Sequence, residues 1–344
     1  MKVLMIGPAR SVNGGISAVV NNYYKAGLDT KVQLQYIGTM EDGSKWHKLK
    51  IAIQALVQFI FTVSKFDLVH INMASDASLY RKLPFIGITK MFGKKLVIHQ
   101  HGGNIKQFYY SECSSKRRKF IQKILRKADA FIVVAPYLKD IFKDIVEEEK
   151  IIVLPNAIEI PENIQKEYTE QNLLFLGRLC KEKGIHELLD AVKDLKNEFP
   201  GLHLYLGGVW VEEELERKAG QCEDYVHYLG WIDAKQKNKY LKKCNIFVLP
   251  TYFEGLPMSL LEGMAYGCAC VASEVGGIPQ VMTNGYDGIM IPAKDVKALR
   301  EALKRVLESP SLQKELGSKA RKTVEDGYDI NKSVQKLLQV YQSI

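Results

Sequence analysis

The sequence predicts an α/β protein of two domains, on three observations. Its 344 residues exceed what one core of ordinary size organises, and they suit two units of about 150 to 170 residues. Short apolar runs of strand type alternate with helical patterns in both halves. Between the halves, Pro155-Asn156 and Ile160-Pro161-Glu162-Asn163 make a polar, Pro-marked connection, which places the boundary near residue 160.

Lys and Arg number 48 against 39 Asp and Glu, a formal charge of +9 that many globular enzymes carry without a special partner. No signal peptide and no uncharged apolar run near 18 residues is seen, so the expected location is the cytoplasm. The six cysteines lack metal-ligand spacing. Cys268 and Cys270, too close for an ordinary bridge, read as small core residues.

In chain order, residues 3–6 form a buried-type strand, followed by a loop from Gly7 to Gly15 and a helix from about Ile16. The Gly-x-Gly-x-x-Gly spacing of dinucleotide binding is absent, which removes the main support for hydride transfer. The pair Gly14-Gly15 at a helix start still permits close approach of backbone to a phosphate or sugar. Residues 46–63 are helical and apolar over more than one face, yet Gln54, Gln58 and Ser64 and the short length argue against a membrane span. A packed or membrane-facing helix is expected.

Residues 66–72 and 95–98 are strands. The second runs into His99-Gln100-His101, at the carboxyl end where open α/β sheets collect ligands. Alternation puts both histidines on one side, and zinc is not implied because no third ligand is in sight. Residues 116–127 place Arg117, Arg118, Lys119 and further cations around Phe120, Ile121, Ile124 and Leu125, a basic amphipathic helix suited to an acidic membrane surface. Strands at 130–134 and 151–154 close the first half.

The second half restarts with a strand at 172–176, which leads into Gly177-Arg178-Leu179-Cys180-Lys181-Glu182-Lys183-Gly184 and a helix from Ile185. Arg178 and Lys183, five apart in a glycine-flanked loop, suit a pyrophosphate: Arg offers a fork of donors and Lys a compact charge. Further strands end at Gly208 and at Trp231-Ile232. An apolar run at 246–249 stops at Pro250, and a helical pattern follows from about Pro257 to Tyr266. Pro257 suits the first helical turn, where the free N–H groups of Met258, Ser259 and Leu260 would receive an anion. Glu254 in the loop and Glu262 in the helix flank that end, which makes them hydroxyl acceptors rather than phosphate ligands. Phosphate at a helix start between two such carboxylates describes a nucleotide-sugar site, although an isolated acidic pair is ordinarily solvated surface.

Glu254-Gly255-Leu256-Pro257, Glu262 after seven intervening residues, Met264-Ala265, Gly267 and Gly276-Gly277-Ile278-Pro279 resemble the donor site of the retaining glycosyltransferases of family 4. The resemblance implies the GT-B fold: two facing Rossmann-like domains with parallel sheets and a cleft between them. It implies an acceptor domain at 1–160, a donor domain at 161–327 and a helix at 328–344 that crosses back to the first domain. It assigns Gly14-Gly15 to the donor phosphates, His101 to the donor sugar, Arg178 and Lys183 to the diphosphate, and Trp231 and Ile232 to the base. Core packing explains the last two almost as well. Gly208, Gly255, Leu256, Pro257, Met258 and Ser259 complete the expected donor site. His101, Glu254, Arg178 and Lys183 are its expected catalytic members. Glu262 is expected on the ribose hydroxyls and Glu254 on the transferred sugar. Gln280 departs from the pattern, standing where many relatives have a second acid.

The expected activity is transfer from a UDP- or GDP-linked sugar to a saccharide, lipid-linked as in relatives of this layout, at the inner membrane face. Fixed cations and a helix start stabilise a leaving diphosphate without a metal, so no cofactor is expected. Retention comes from the resemblance, and a front-face route is favoured over double displacement through a carboxylate. A sugar epimerase of the same architecture is the rival enzyme. A nucleic-acid binder would use the basic helix but would not need Arg178, Lys183 and Glu262 together, so no nucleic-acid partner is expected.

Overall fold

The computed structural model describes residues 1–102 and 104–344, which form two units: Met1–Glu159 with Ile330–Ile344, and Ile160–Asp329. The first runs β1 (Lys2–Gly7), α1 (Gly15–Lys25), α2 (Leu28–Lys31), β2 (Gln33–Gly38), α3 (Lys45–Thr62), β3 (Leu68–Met73), α4 (Ala77–Met91), β4 (Lys95–Gln100), α5 (Ile105–Gln107), α6 (Ser115–Leu125), β5 (Ala130–Val133), α7 (Pro136–Phe142) and β6 (Ile151–Val153). The second runs β7 (Asn172–Leu176), α8 (Ile185–Glu198), β8 (His203–Gly207), α9 (Glu213–Gly220), β9 (Val226–Gly230), α10 (Ala234–Lys243), β10 (Ile246–Leu249), α11 (Met258–Ala265), β11 (Ala269–Ser273), β12 (Ile289–Ile291), α12 (Val296–Leu307) and α13 (Pro310–Gly327). The chain then returns to the first unit as α14 (Ile330–Gln342).

Each unit holds a six-stranded parallel sheet, in the order β2-β1-β3-β4-β5-β6 and β12-β11-β10-β7-β8-β9. The inner strands are apolar runs buried throughout, as parallel strands between helical layers require. In the second sheet the chain goes outward from β7 to β8 and β9, then returns to the other side of β7 as β10. The loops leaving β7 and β10 therefore diverge at a topological switch point, the place where such sheets bind ligands. β1 and β3 make the equivalent switch in the first sheet.

Two features differ from the sequence reading. β2 and β12, outermost in their sheets, are additional strands: one is polar and half-exposed, the other only three residues long. Pro257 is the cap residue before α11 and not within its first turn. Helix α3 has two apolar faces with separate fates, since Ala55 and Phe59 are buried whereas Trp46, Leu49, Ile53, Val57, Ile60 and Phe61 are exposed. The helix is packed through one of these faces and exposed through the other. Among the described residues no helix is long and apolar enough to cross a membrane.

Candidate functional site

In the second unit the two segments leaving the switch point are tied together. Tyr252 N–H donates to Glu182 O at 2.9 Å, and Tyr252 Oη donates to Glu187 Oε1 at 2.6 Å. Gly184 adopts φ +71°, and a Cβ there would fall 1.9 Å from Pro250 O, so the contact between the loops exists only because this residue is glycine. The loop 177–184 is thereby held against 250–254. Its Lys183 ammonium meets the Glu254 carboxylate in an ion pair, with the side chains 19% and 15% exposed. The cation expected on the diphosphate and the acid expected on the sugar are neighbours.

Behind Glu254 the chain runs through Gly255, Leu256 and Pro257, all buried, into α11. Leu261 N–H makes the first helical bond, to Pro257 O, which leaves the N–H groups of Met258, Ser259 and Leu260 for an anion. Gly276 backs the same loop, because a Cβ there would lie 1.9 Å from Glu254 O. Arg178 is exposed at the loop's start and makes no ion pair with Glu254 or Glu262 among the described residues; its charge instead contributes to holding the Glu182 carboxyl below the usual range, after hydrogen bonds to that carboxyl from its own backbone N–H and from Cys180. Gly208 lies against Gly177 O, Ile232 packs near Gly207, and Trp231 is half-exposed at the end of β9.

Sequence reasoning missed one member of this group. Lys237, on α10, places Nζ 2.5 Å from Glu262 Oε1. It is one of five lysines in ten residues, Lys235, Lys237, Lys239, Lys242 and Lys243, and no local signal separates it from the others. Only its ion pair with Glu262, 25 positions away, does.

In the first unit Gly14 precedes α1, and a Cβ at Gly14 or Gly15 would meet nothing within 4 Å. His101 follows β4, its Nε2 2.9 Å from Asn72 Oδ1 and its ring stacked on His99 at 4.0 Å. Asn72 Nδ2 donates to Ile6 O, so Asn72 Oδ1 accepts and Nε2 carries the His101 proton. His99 lies next to His70, whose Nδ1 is hydrogen-bonded to Tyr341 Oη of α14 at 2.6 Å. Burial pushes His70 and His101 down to about 3 and His99 well below its ordinary range.

These three rings are neutral in the native state, whereas an unfolded chain protonates them near pH 6.5. Below that pH the unfolded chain binds more protons, so native stability is full above about 6.5 and lost as pH falls toward the depressed values. Urea unfolding is expected to lose up to about 4 kcal/mol per pH unit from these groups between pH 6 and 4.5. His99→Leu should reduce the slope by about one proton. A midpoint that does not change from pH 7 to 5 would contradict the buried neutral histidines.

Comparison with known proteins identifies the family of the chain. A model of the glycosyl transferases group 1 matches residues 156–323, and a model of glycosyltransferase family 4 matches residues 36–161. The chain is 23% identical over 368 aligned positions to the uncharacterized glycosyltransferase MJ1178 of Methanocaldococcus jannaschii, covering 100% of this chain and 99% of that one. It is 30% identical over 207 positions to N,N'-diacetylbacillosaminyl-diphospho-undecaprenol alpha-1,3-N-acetylgalactosaminyltransferase of Campylobacter jejuni, covering 60% of this chain and 52% of the relative. The Anabaena protein HepE, solved in complex with UDP-glucose, superposes with a TM-score of 0.82 over 100% of both chains at 16% identity, a likeness of fold.

Proposed function

Because the chain belongs to the family 4 glycosyltransferases of the GT-B fold, we propose that it moves a sugar from a UDP- or GDP-linked donor, with retention, to a lipid-linked saccharide at the inner membrane face, in polysaccharide or glycolipid synthesis. The meeting of Lys183, Glu254 and the start of α11 at the β7/β10 switch point carries the donor half of this reading. When the bond from the anomeric carbon to the diphosphate oxygen breaks, its electron pair passes to the diphosphate. Arg178, Lys183 and the N–H groups of residues 258–260 stabilise that charge as fixed cations and dipoles, and no metal is called on. A diphosphate arriving at Lys183 competes with Glu254 for the ammonium, which turns the carboxylate toward the sugar. In the front-face route the acceptor hydroxyl attacks on the side the diphosphate leaves, and its proton goes to a diphosphate oxygen. For His101 and Gly14-Gly15 the proposal rests on the family pattern.

The acceptor half is supported by the outer surface of the first unit. Trp46 and Phe61 are 81% and 76% exposed at the two ends of the apolar stripe on α3. On α6, Ile121 and Leu125 are buried, while Phe120 is exposed among Lys116, Arg117, Lys119 and Lys123. Both helices pack on α4. An apolar ridge beside a cationic helix suits an acidic bilayer, where each basic residue contributes about 1 kcal/mol. The Campylobacter relative is named for an undecaprenol-linked acceptor, which fits.

The protein is expected to sediment with acidic vesicles and to extend a lipid-linked saccharide. Changing Arg117, Arg118 and Lys119 together to Glu should abolish sedimentation at unchanged donor affinity. Equal binding to neutral vesicles would contradict the electrostatic part, and activity confined to soluble sugars would remove the lipid acceptor.

A further inference from the structure

The unassigned lysine of the donor group supports a more specific statement. The Glu262 carboxylate is only 17% exposed, and its cation, Lys237, is 30% exposed. A pair this far from bulk water is not one of the loose surface pairs that contribute little. Lys237 is the half-buried member of the five α10 lysines, the other four being exposed. Its backbone is fixed as well. Asp233 and Gln236 form a reciprocal capping box at the start of α10, immediately after Trp231-Ile232, which fixes the first turn of the helix that carries Lys237.

Lys237 engages Oε1 of Glu262, and among the described residues Oε2 has no partner. A carboxylate held by one oxygen and open at the other is a preorganised acceptor for hydroxyl groups, whereas an untethered Glu in a helix must give up rotamer freedom to do the same work. We infer that Lys237 is a positioning residue for the ribose of the nucleotide donor. It holds Glu262 so that the second oxygen accepts from the ribose hydroxyls, and it links the segment expected at the base to the one expected at the ribose. This rests on the donor-site reading above. It separates two cationic tasks: Lys183 serves the diphosphate end, and Lys237 serves the ribose end through Glu262.

The test is a chemical double-mutant cycle read by calorimetry on the full chain. UDP and GDP are titrated first, and the nucleotide that binds is compared with its 2′,3′-dideoxy analogue. Lys237→Ala is expected to weaken the ribonucleotide about tenfold while changing the dideoxy analogue less than about twofold, and Lys237→Arg should restore most of the loss. Equal weakening of both nucleotides would overturn the inference, because the lysine would then be acting on the diphosphate or on folding. No weakening of either would overturn it as well. If the wild-type chain binds neither UDP nor GDP, the donor-site reading itself fails, and this inference falls with it.

Discussion

Replacing Lys183 by Ala is expected to weaken nucleoside diphosphate binding by about 1.5 to 3 kcal/mol, the scale of a charged hydrogen bond. That is roughly 10- to 150-fold in Kd. Arg178→Ala should lose a similar amount, and the two variants should differ in a second readout. Arg178 is exposed, makes no ion pair with the motif acids and is only a minor support of the Glu182 carboxylate, so its removal should change unfolding little. Lys183 neutralises a carboxylate that is 15% exposed, so its removal should also cost about 1 kcal/mol or more of stability. Calorimetry with UDP and GDP, alongside urea unfolding, measures both quantities. Unchanged nucleotide affinity in a folded Lys183→Ala variant would take this residue out of the site.

Gly184→Ala is expected to be among the damaging single methyls of the second unit, beside Gly208 and Gly276. The new Cβ would start 1.9 Å from Pro250 O, a backbone atom that cannot swing aside, and the left-handed φ of +71° adds about 1 to 2 kcal/mol for any residue with a side chain. A total loss of roughly 3 to 5 kcal/mol is expected. The relief available is separation of the loop 177–184 from 250–254, which pulls Lys183 off Glu254 and weakens donor binding in whatever protein remains folded. Gly14→Ala and Gly15→Ala are the matched controls, since their added methyls meet nothing. Those variants should unfold like the wild type, so any loss of activity in them reports a ligand's approach to the backbone. If Gly184→Ala proves as stable and as active as the wild type, the loops are not joined as described.

Much of the candidate site at the β7/β10 switch point was legible because its residues are neighbours in sequence. Glu254 to Glu262 lie on one loop and one helix, and Gly177 to Gly184 on one turn, so each group could be read as a unit, and the family resemblance gave those units their expected roles. Lys237 was not legible: its partner lies 25 positions away, and a Lys-rich helix conceals the one lysine that turns inward. The inner strands announced themselves as largely apolar runs, whereas β2 is polar and half-exposed and the apolar run of β12 is only three residues long. For α3 the periodicity gave a helix with too many apolar positions. Which of them are buried depends on where its neighbours stop, and no local pattern holds that information. The strand-end histidines showed their position but not their company, since Asn72 and Tyr341 reach them from distant segments.

The route of the chain has a consequence for how the protein comes into being on a ribosome. Tyr341, which closes the histidine cluster over His70, belongs to a helix made only after the 170 residues from Ile160 to Asp329. At 5 to 20 residues per second that interval is about 10 to 30 s. Throughout it the first unit has its whole sheet yet lacks the helix that contributes Ile330, Val334, Leu337 and Tyr341 to its core. The second unit depends on no later segment and can finish first. The half translated first is thus the half completed last, and it waits through synthesis of the second unit with an apolar surface that nascent-chain chaperones are suited to cover.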